Sequence, residues 1–260
     1  MNKNIQLYVN CTKPEAKILA EQIKQELVKA KYQVVQKDAD IVIGFGGDGT
    51  LLHFLKENNY NTNAEYIGVN CGTLGFLQDF KVENIKEFVQ NIPSYSKKKL
   101  RFVAMEVAIG GSKETYMALN EITIQDSELK TFKTIVNVED YLEDFVGTGL
   151  IFSTPTGSTA HALSAGGCII HPDIGALQMT PREAITNSKM HCLAKSICIP
   201  AGIDITLNPK NSERIKIYSD GTCIYEGCYD EIKVYYAKEG LVKLTDKTSS
   251  FISTVREKLI

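Results

Sequence analysis

The run Ile41-Val42-Ile43-Gly44-Phe45-Gly46-Gly47-Asp48-Gly49-Thr50 reads as a buried strand that breaks into glycines and enters a helix. Glycines let a backbone approach a phosphate chain closely, free N–H groups at a helix start donate to anions, and the helix dipole adds to that field. The pattern suits a polyphosphate. Asp48 is out of place among anion donors unless it has a different task. It could hold an acceptor hydroxyl in line and take its proton, or help to position a metal ion. The plainer alternative is a tight turn in which Asp48 only caps the helix.

A second cluster runs from Gly147 to Gly167 and again reads strand, turn and helix. Its hydroxyls and N-terminal amides offer a place for a second polar or anionic group, with His161 and Ser164 three residues apart on one face. One long ligand could span both loops. Asn120-Glu121, just ahead of Ile122-Thr123-Ile124, pairs an amide with a carboxylate, a set that suits ribose hydroxyls and an adenine edge. The alternative there is a solvated strand end.

The elements that must position these residues follow from periodicity. Gln6 to Val9 alternates as a first strand. From Pro14 to Lys31, Ala16, Leu19, Ala20, Ile23, Leu27 and Ala30 recur at helical spacing. Tyr32 to Val35, Asp40 to Phe45 and Tyr66 to Val69 read as strands, with helices from about Leu51 and from Val82 to Asn91. Such alternation predicts a Rossmann-like parallel sheet covered by helices. After Pro93 and Lys97 to Lys99 the texture changes. Phe102 to Ile109, Thr115 to Ile124, Thr134 to Val138, Ile197 to Leu207, Arg214 to Tyr218 and Glu231 to Thr245 read as strands, with one helical stretch after Ser158. The expectation is an α/β domain over residues 1–100 and a mostly β domain over 101–245. The tail from Ser250 is helical, with Phe251, Ile252, Val255 and Leu259 on one side, and by pattern alone packs on either domain.

Composition narrows the function. Of 260 residues 43% are apolar, enough for a real core, and 29 basic against 31 acidic residues leave no excess to neutralise a nucleic-acid backbone. No signal-peptide pattern opens the chain and no apolar run reaches a membrane-spanning length, so a soluble cytoplasmic protein is expected. The 7 cysteines form no C-x-x-C pair, which fits reduced thiols, and His191, Cys192 and Cys198 match no common zinc spacing.

Gly46-Gly47-Asp48-Gly49-Thr50, Gly72-Thr73-Leu74-Gly75-Phe76-Leu77, Asn120-Glu121, the stretch Ser153 to Ser164 and His171-Pro172, in this order and spacing, resemble the NAD kinase family. The resemblance runs from about residue 40 to 225 and rests on several separate motifs; the first is shared with lipid and sphingoid-base kinases. It implies a C-terminal helix (residues 246–260) returning to the first domain and phosphoryl transfer from ATP or polyphosphate to the adenosine 2′-hydroxyl of NAD. Asp48 would orient or deprotonate that hydroxyl. Gly49, Phe76, Asn120, Glu121, Ser158, Thr159, Ala160 and Ser164 would line the dinucleotide site. The family implies Mg²⁺ and a homodimer or homotetramer; the charge balance argues against a nucleic-acid partner, and the lack of a membrane-length run or basic amphipathic anchor against a membrane partner.

The chain also departs from the family pattern. Val146, Gly147, Thr148 and Gly149 stand where an Arg-x-Asp-Gly is usual, His161 replaces a tyrosine, and Thr222 replaces a glutamine after Asp220-Gly221. The departures at Thr148, His161 and Thr222 alter the expected dinucleotide contacts, and His161 is expected to serve as a stacking face unless it merely packs. Two rival readings are a non-catalytic NAD-binding sensor and a lipid kinase of the diacylglycerol type. Retention of Asp48 speaks against the first, and the lack of a basic amphipathic anchor against the second.

Overall fold

The computed structural model describes residues 3–9, 14–60, 63–72, 75–78, 80–128, 130–188, 191–210, 214–246 and 250–260. The chain divides into two compact units, one of Met1–Leu100 with Leu241–Ile260 and one of Arg101–Gly240. Thr73 and Leu74 of the second glycine motif, and Cys11, lie outside the described residues.

The first unit holds parallel strands in the order Gln33–Val35, Asn4–Val9, Ile41–Gly46 and Glu65–Asn70. Lys243 and Leu244, at the end of the long strand Glu231–Thr245, pair parallel to Tyr66 and Ile67. Ile41–Gly46 is buried along its whole length, which is why it reads as an unbroken apolar run rather than as an alternation. Helix Pro14–Lys29 buries Ala16, Ala20, Ile23 and Leu27, the stripe its spacing predicts. They join Ile5, Ile43, Phe45, Ile67 and Phe88 in one core. Helix Ile85–Asn91 starts later than the apolar pattern suggests, because the Asn84 side chain caps it by accepting from Glu87 N at 3.2 Å.

The second unit is a β-sandwich. Its six-stranded antiparallel sheet runs Ile197–Pro200, Ala176–Arg182, Gly149–Ser153, Glu121–Asp126, Ile215–Ser219, Thr222–Gly227. Against one face pack Phe132–Val138, Asp140–Gly147, Ile205–Pro209, residues 101–109 of the strand Ser96–Ile109 and the start of Glu231–Thr245, so that Ile122, Ile124, Leu150, Phe152 and Met179 meet Phe132, Phe145, Leu207 and Val234 in the core. The two-residue strand period then sends Glu121, Thr123 and Gln125 to the opposite face.

Several elements differ from their sequence expectation. Thr115 to Ile124 is two strands, Ser112–Ala118 and Glu121–Asp126. The break falls where the amides of Leu119, Asn120 and Glu121 turn to the Asp220 carboxylate instead of a neighbouring strand. Ile197 to Leu207 is interrupted after Pro200, where Gly202 adopts φ +101°. Asp140–Gly147, Ala176–Arg182 and Thr222–Gly227 are strands the pattern did not reveal, since acidic residues or Pro181 obscure their alternation. The helix after Ser158 is a 3-10 turn, Gly157–Thr159, and a single short turn, His161–Ser164.

The tail forms helix Phe251–Leu259 and belongs to the first unit. Its half-buried stripe is Phe251, Thr254 and Val255. Ile252 and Leu259, expected on the apolar side, stay exposed.

Candidate functional site

Asp48 opens helix Asp48–Glu57, and no side chain caps that helix. Capping is therefore not what the carboxylate does. It turns instead to the second glycine motif: Oδ2 accepts from Phe76 N at 2.9 Å, and Oδ1 accepts from Leu77 N at 2.9 Å and from Gln78 N at 3.3 Å. Three consecutive amides fix both oxygens, as a charge-assisted set that orients a carboxylate closely. Gly75 makes this possible, because a Cβ there would lie 1.9 Å from Asp48 Oδ1. Below it, Gly68 is cut away for the same loop, whereas Gly44 makes room for the Tyr66 hydroxyl, 1.8 Å from where its Cβ would lie. Gly44 and Gly68 are register partners, and a Cβ on Gly68 would lie 2.5 Å from Leu77 O. Gly47 and Gly49, by contrast, would carry a Cβ into open space, so the chain's own packing does not require glycine at either position. The open space at both positions leaves room for another molecule to come close to the backbone.

Phe76 sits at this carboxylate by its amide and presents its ring to the tail helix, 6.1 Å from Phe251. Lys258, on the same helix, brings its ammonium 3.8 Å from Asp48 Oδ2 and 5.0 Å over the Phe76 ring. Beneath the loop, Lys243 is only 4% exposed and donates to Phe76 O at 3.5 Å. None of these lysines belongs to a glycine motif, which is why sequence reasoning missed them; they lie some 165 to 210 positions along the chain from Asp48 and Phe76.

In the second unit Asp220 repeats the device. Its Oδ2 accepts from Leu119 N at 2.9 Å, and its Oδ1 from Asn120 N at 2.8 Å and Glu121 N at 3.3 Å. Asn120 O then takes Thr154 N at 2.9 Å, and Thr154 Oγ1 donates to Leu119 O at 2.6 Å, joining the Asn-Glu pair to the second cluster. Glu121 is no solvated strand end: it is 7% exposed and its Oε2 is buried without a partner. Burial, with the Asp220 charge adding to it, pushes its pKa up to about 8, while the His161 backbone N–H partly offsets this.

Glu121 lies in a cavity of about 170 Å³ lined also by Thr123, Gln125, His161, Arg182 and Tyr218. His161 thus lines this cavity, and its own pKa is lowered by burial and by Arg182. Arg182 Nη1 donates to Gln125 Oε1 at 2.7 Å. The His161 helix is too short to act as an anion site, and its first amide serves Glu121.

The remaining predicted residues fall into two groups. Ser158 is fully buried, and its hydroxyl donates to Pro155 O at 2.7 Å while accepting from Ile170 N at 2.9 Å, so it holds the loop. Thr159 Oγ1 donates to Thr156 O at 3.3 Å, and Ala160 N closes the 3-10 turn on Gly157 O. Ser164 is exposed on the short helix and Thr222 follows the Asp220-Gly221 turn. Thr148 stands apart. It is at the Gly149 end of its strand, its hydroxyl bonded to Glu183, whereas the Thr156 to Ser164 loop leaves from the Ser153 end.

The family model for the ATP-NAD kinase N-terminal domain matches residues 12–94, and that for the ATP-NAD kinase C-terminal domain matches residues 119–239. The chain is 35% identical to an NAD kinase of Lactobacillus gasseri over 226 residues, covering 85% of this chain and 83% of that protein. With NAD kinase 1 of Bacillus cereus it shares 31% identity over 93% of each chain. Among solved structures it superposes on yeast NADH kinase complexed with NADH with a TM-score of 0.86 at 20% identity, covering 99% of this chain and 87% of that one. An NAD kinase from Archaeoglobus fulgidus in complex with ATP gives a TM-score of 0.77 at 20% identity, covering 98% and 99%. The motifs around Asp48 and Glu121 thus sit inside two matched domain models and a chain-long relationship to curated NAD kinases: the protein belongs to the NAD kinase family.

Proposed function

We propose that this protein is an NAD kinase that moves the terminal phosphoryl group of ATP or of inorganic polyphosphate onto the adenosine 2′-hydroxyl of NAD, giving NADP. The observation that carries this reading is the Asp48 carboxylate, held by three successive amides beside glycines that leave room for a ligand. In the step itself the 2′-oxygen forms a bond to phosphorus, the phosphoanhydride bond breaks, and the shortened donor leaves. Asp48 orients the hydroxyl and accepts its proton. Gly49 and the backbone of the first loop face the phosphates. Phe76, Asn120, Glu121, Thr159, Ala160, His161, Ser164 and Thr222 serve the dinucleotide directly, Ser158 through the loop it holds. Thr148 is the residue whose placement least supports a dinucleotide contact.

Such a transfer would use Mg²⁺, which would offset the charge of the donor's phosphates, with Asp48 as the carboxylate placed to help position it. The donor set at Asp48 fits that role: one carboxylate, already engaged by amides, and among the described residues no convergence of three acidic, histidine or cysteine side chains. The reading includes a cytoplasmic setting, supported by free thiols at Cys71, Cys168, Cys192, Cys198, Cys223 and Cys228. Among the described residues no helix is long and apolar enough to cross a membrane. Assembly as a homodimer or homotetramer follows from the family resemblance and is read by light scattering.

The test is turnover by the purified protein with Mg²⁺, NAD and either ATP or polyphosphate, reading NADP with an NADP-specific dehydrogenase. Asp48→Asn keeps the side-chain shape and is expected to lower kcat by roughly a hundredfold or more. NAD binding without NADP from either donor would replace the kinase reading by that of a sensor.

A further inference from the structure

Phosphoryl transfer concentrates negative charge on the oxygens of the group in flight, and protein cations commonly share in stabilising it. The glycine motifs of this chain bring none: residues 44–50, 72–78 and 147–167 contain neither lysine nor arginine. The structure brings one from the end of the chain. Helix Phe251–Leu259 lies along the first unit by Phe251, Thr254 and Val255, and one further turn on the same face places Lys258 at Asp48. Its side chain is 26% exposed, and the Phe76 ring beneath the ammonium limits where it can go.

The lone pairs of Asp48 are nearly all assigned. Oδ1 accepts two amides and Oδ2 accepts one, which leaves a single position on Oδ2 for an acceptor hydroxyl. Lys258 Nζ faces that oxygen at 3.8 Å. This is near enough for charge to matter and longer than a hydrogen bond, so the contact yields to a better partner.

We propose that Lys258 is the protein's own cation for the transfer step. It neutralises Asp48 in the free protein and, when the acceptor hydroxyl takes the open position on Oδ2, swings on its flexible stem onto a non-bridging oxygen of the donor's terminal phosphate. No covalent bond to Lys258 forms and its proton stays in place; it offsets charge while the phosphoanhydride breaks. The proposal rests on the kinase reading above. It gives Phe76 a second task, since its amide fixes Asp48 while its ring holds the lysine.

The experiment measures NADP formation by the wild-type protein, Lys258→Met and Lys258→Arg across donor and NAD concentrations, with thermal melts and NAD binding on each. Lys258→Met is expected to lower kcat roughly tenfold or more and raise the donor KM, leaving NAD binding and the melting temperature close to wild type. Lys258→Arg, which keeps the charge, is expected to recover most of the loss. Wild-type kcat and donor KM in Lys258→Met would overturn the proposal. So would a loss that Lys258→Arg fails to restore, or one that follows the melting temperature, because either marks a packing role. A wild-type protein that makes no NADP would instead remove the kinase reading, and this inference with it.

Discussion

Asp48 and Asp220 are used alike, each carboxylate collecting three successive amides of a distant segment, yet only Asp48 was legible. It stands as an acid among glycines at a strand-to-helix junction, where type and spacing alone raise a question. Asp220 looks like an ordinary Asp-Gly turn, and its partners lie about 100 residues earlier. The burial of Glu121 was equally hidden, since nothing in Asn-Glu says which face of a sheet is covered. It has a measurable consequence. The pKa of Glu121 is about 8 in the folded protein against an ordinary 4.5. Below about pH 4.5 both folded and unfolded forms are protonated and the residue costs nothing. As pH rises toward 8 the unfolded chain ionises while the folded one resists, so stability declines, and above 8 the deficit is constant. Glu121→Gln removes the titration. We expect the variant to match wild type near pH 4.5 and to exceed it by on the order of a few kcal/mol at pH 8 to 9. Denaturant melts across this range decide it; a difference that does not change with pH would show that Glu121 is not held neutral.

The parallel strands and the first helix were legible because their burial follows a simple period, in the wholly buried Ile41–Gly46 and in the stripe of Pro14–Lys29. Elements whose limits are set by a distant side chain were not. The break at Leu119 and Asn120 is imposed by the hairpin turn at Asp220-Gly221, where φ is +43° and +76°, a type I′ pattern that an Asp-Gly pair supports. Asp220→Asn tests this linkage. Asparagine keeps the tolerance for positive φ but replaces one accepting oxygen with an NH₂ group, leaving a partly buried amide of residues 119–121 without its acceptor. The expected cost is about 1–3 kcal/mol, together with weaker NAD binding, because Asn120 and Glu121 lose their placement. Denaturant melts and calorimetric titration with NAD report the two effects. If stability fell while NAD affinity held, the turn would be a scaffold for the sandwich alone and not for the Asn-Glu pair.

The change of texture near residue 100 is plain in the sequence, but nothing local says that residues 241–260 join the first unit, because strand Glu231–Thr245 reads as one element while its ends serve different units. Each unit has its own core. Every buried residue in the cluster around Ile122, Phe152 and Leu207 lies between 101 and 240, and every one in the cluster around Ile23, Ile43 and Ile67 lies outside that range, Leu244 included. We expect residues 101–240, expressed alone, to melt cooperatively. Residues 1–100 alone should not: without Lys243 and Leu244 the edge of Glu65–Asn70 loses its partner strand, which exposes main-chain groups and buried apolar surface and invites aggregation. Supplying 241–260 on a flexible linker restores that strand and the Phe251–Leu259 helix, and with them a cooperative transition. Circular dichroism melts of the three proteins separate the outcomes. A cooperative melt of 1–100 alone would mean that residues 241–260 are an attachment to a finished sheet; its absence there and recovery with the linker would mean that the unit carrying Asp48 is completed only by residues 241–260.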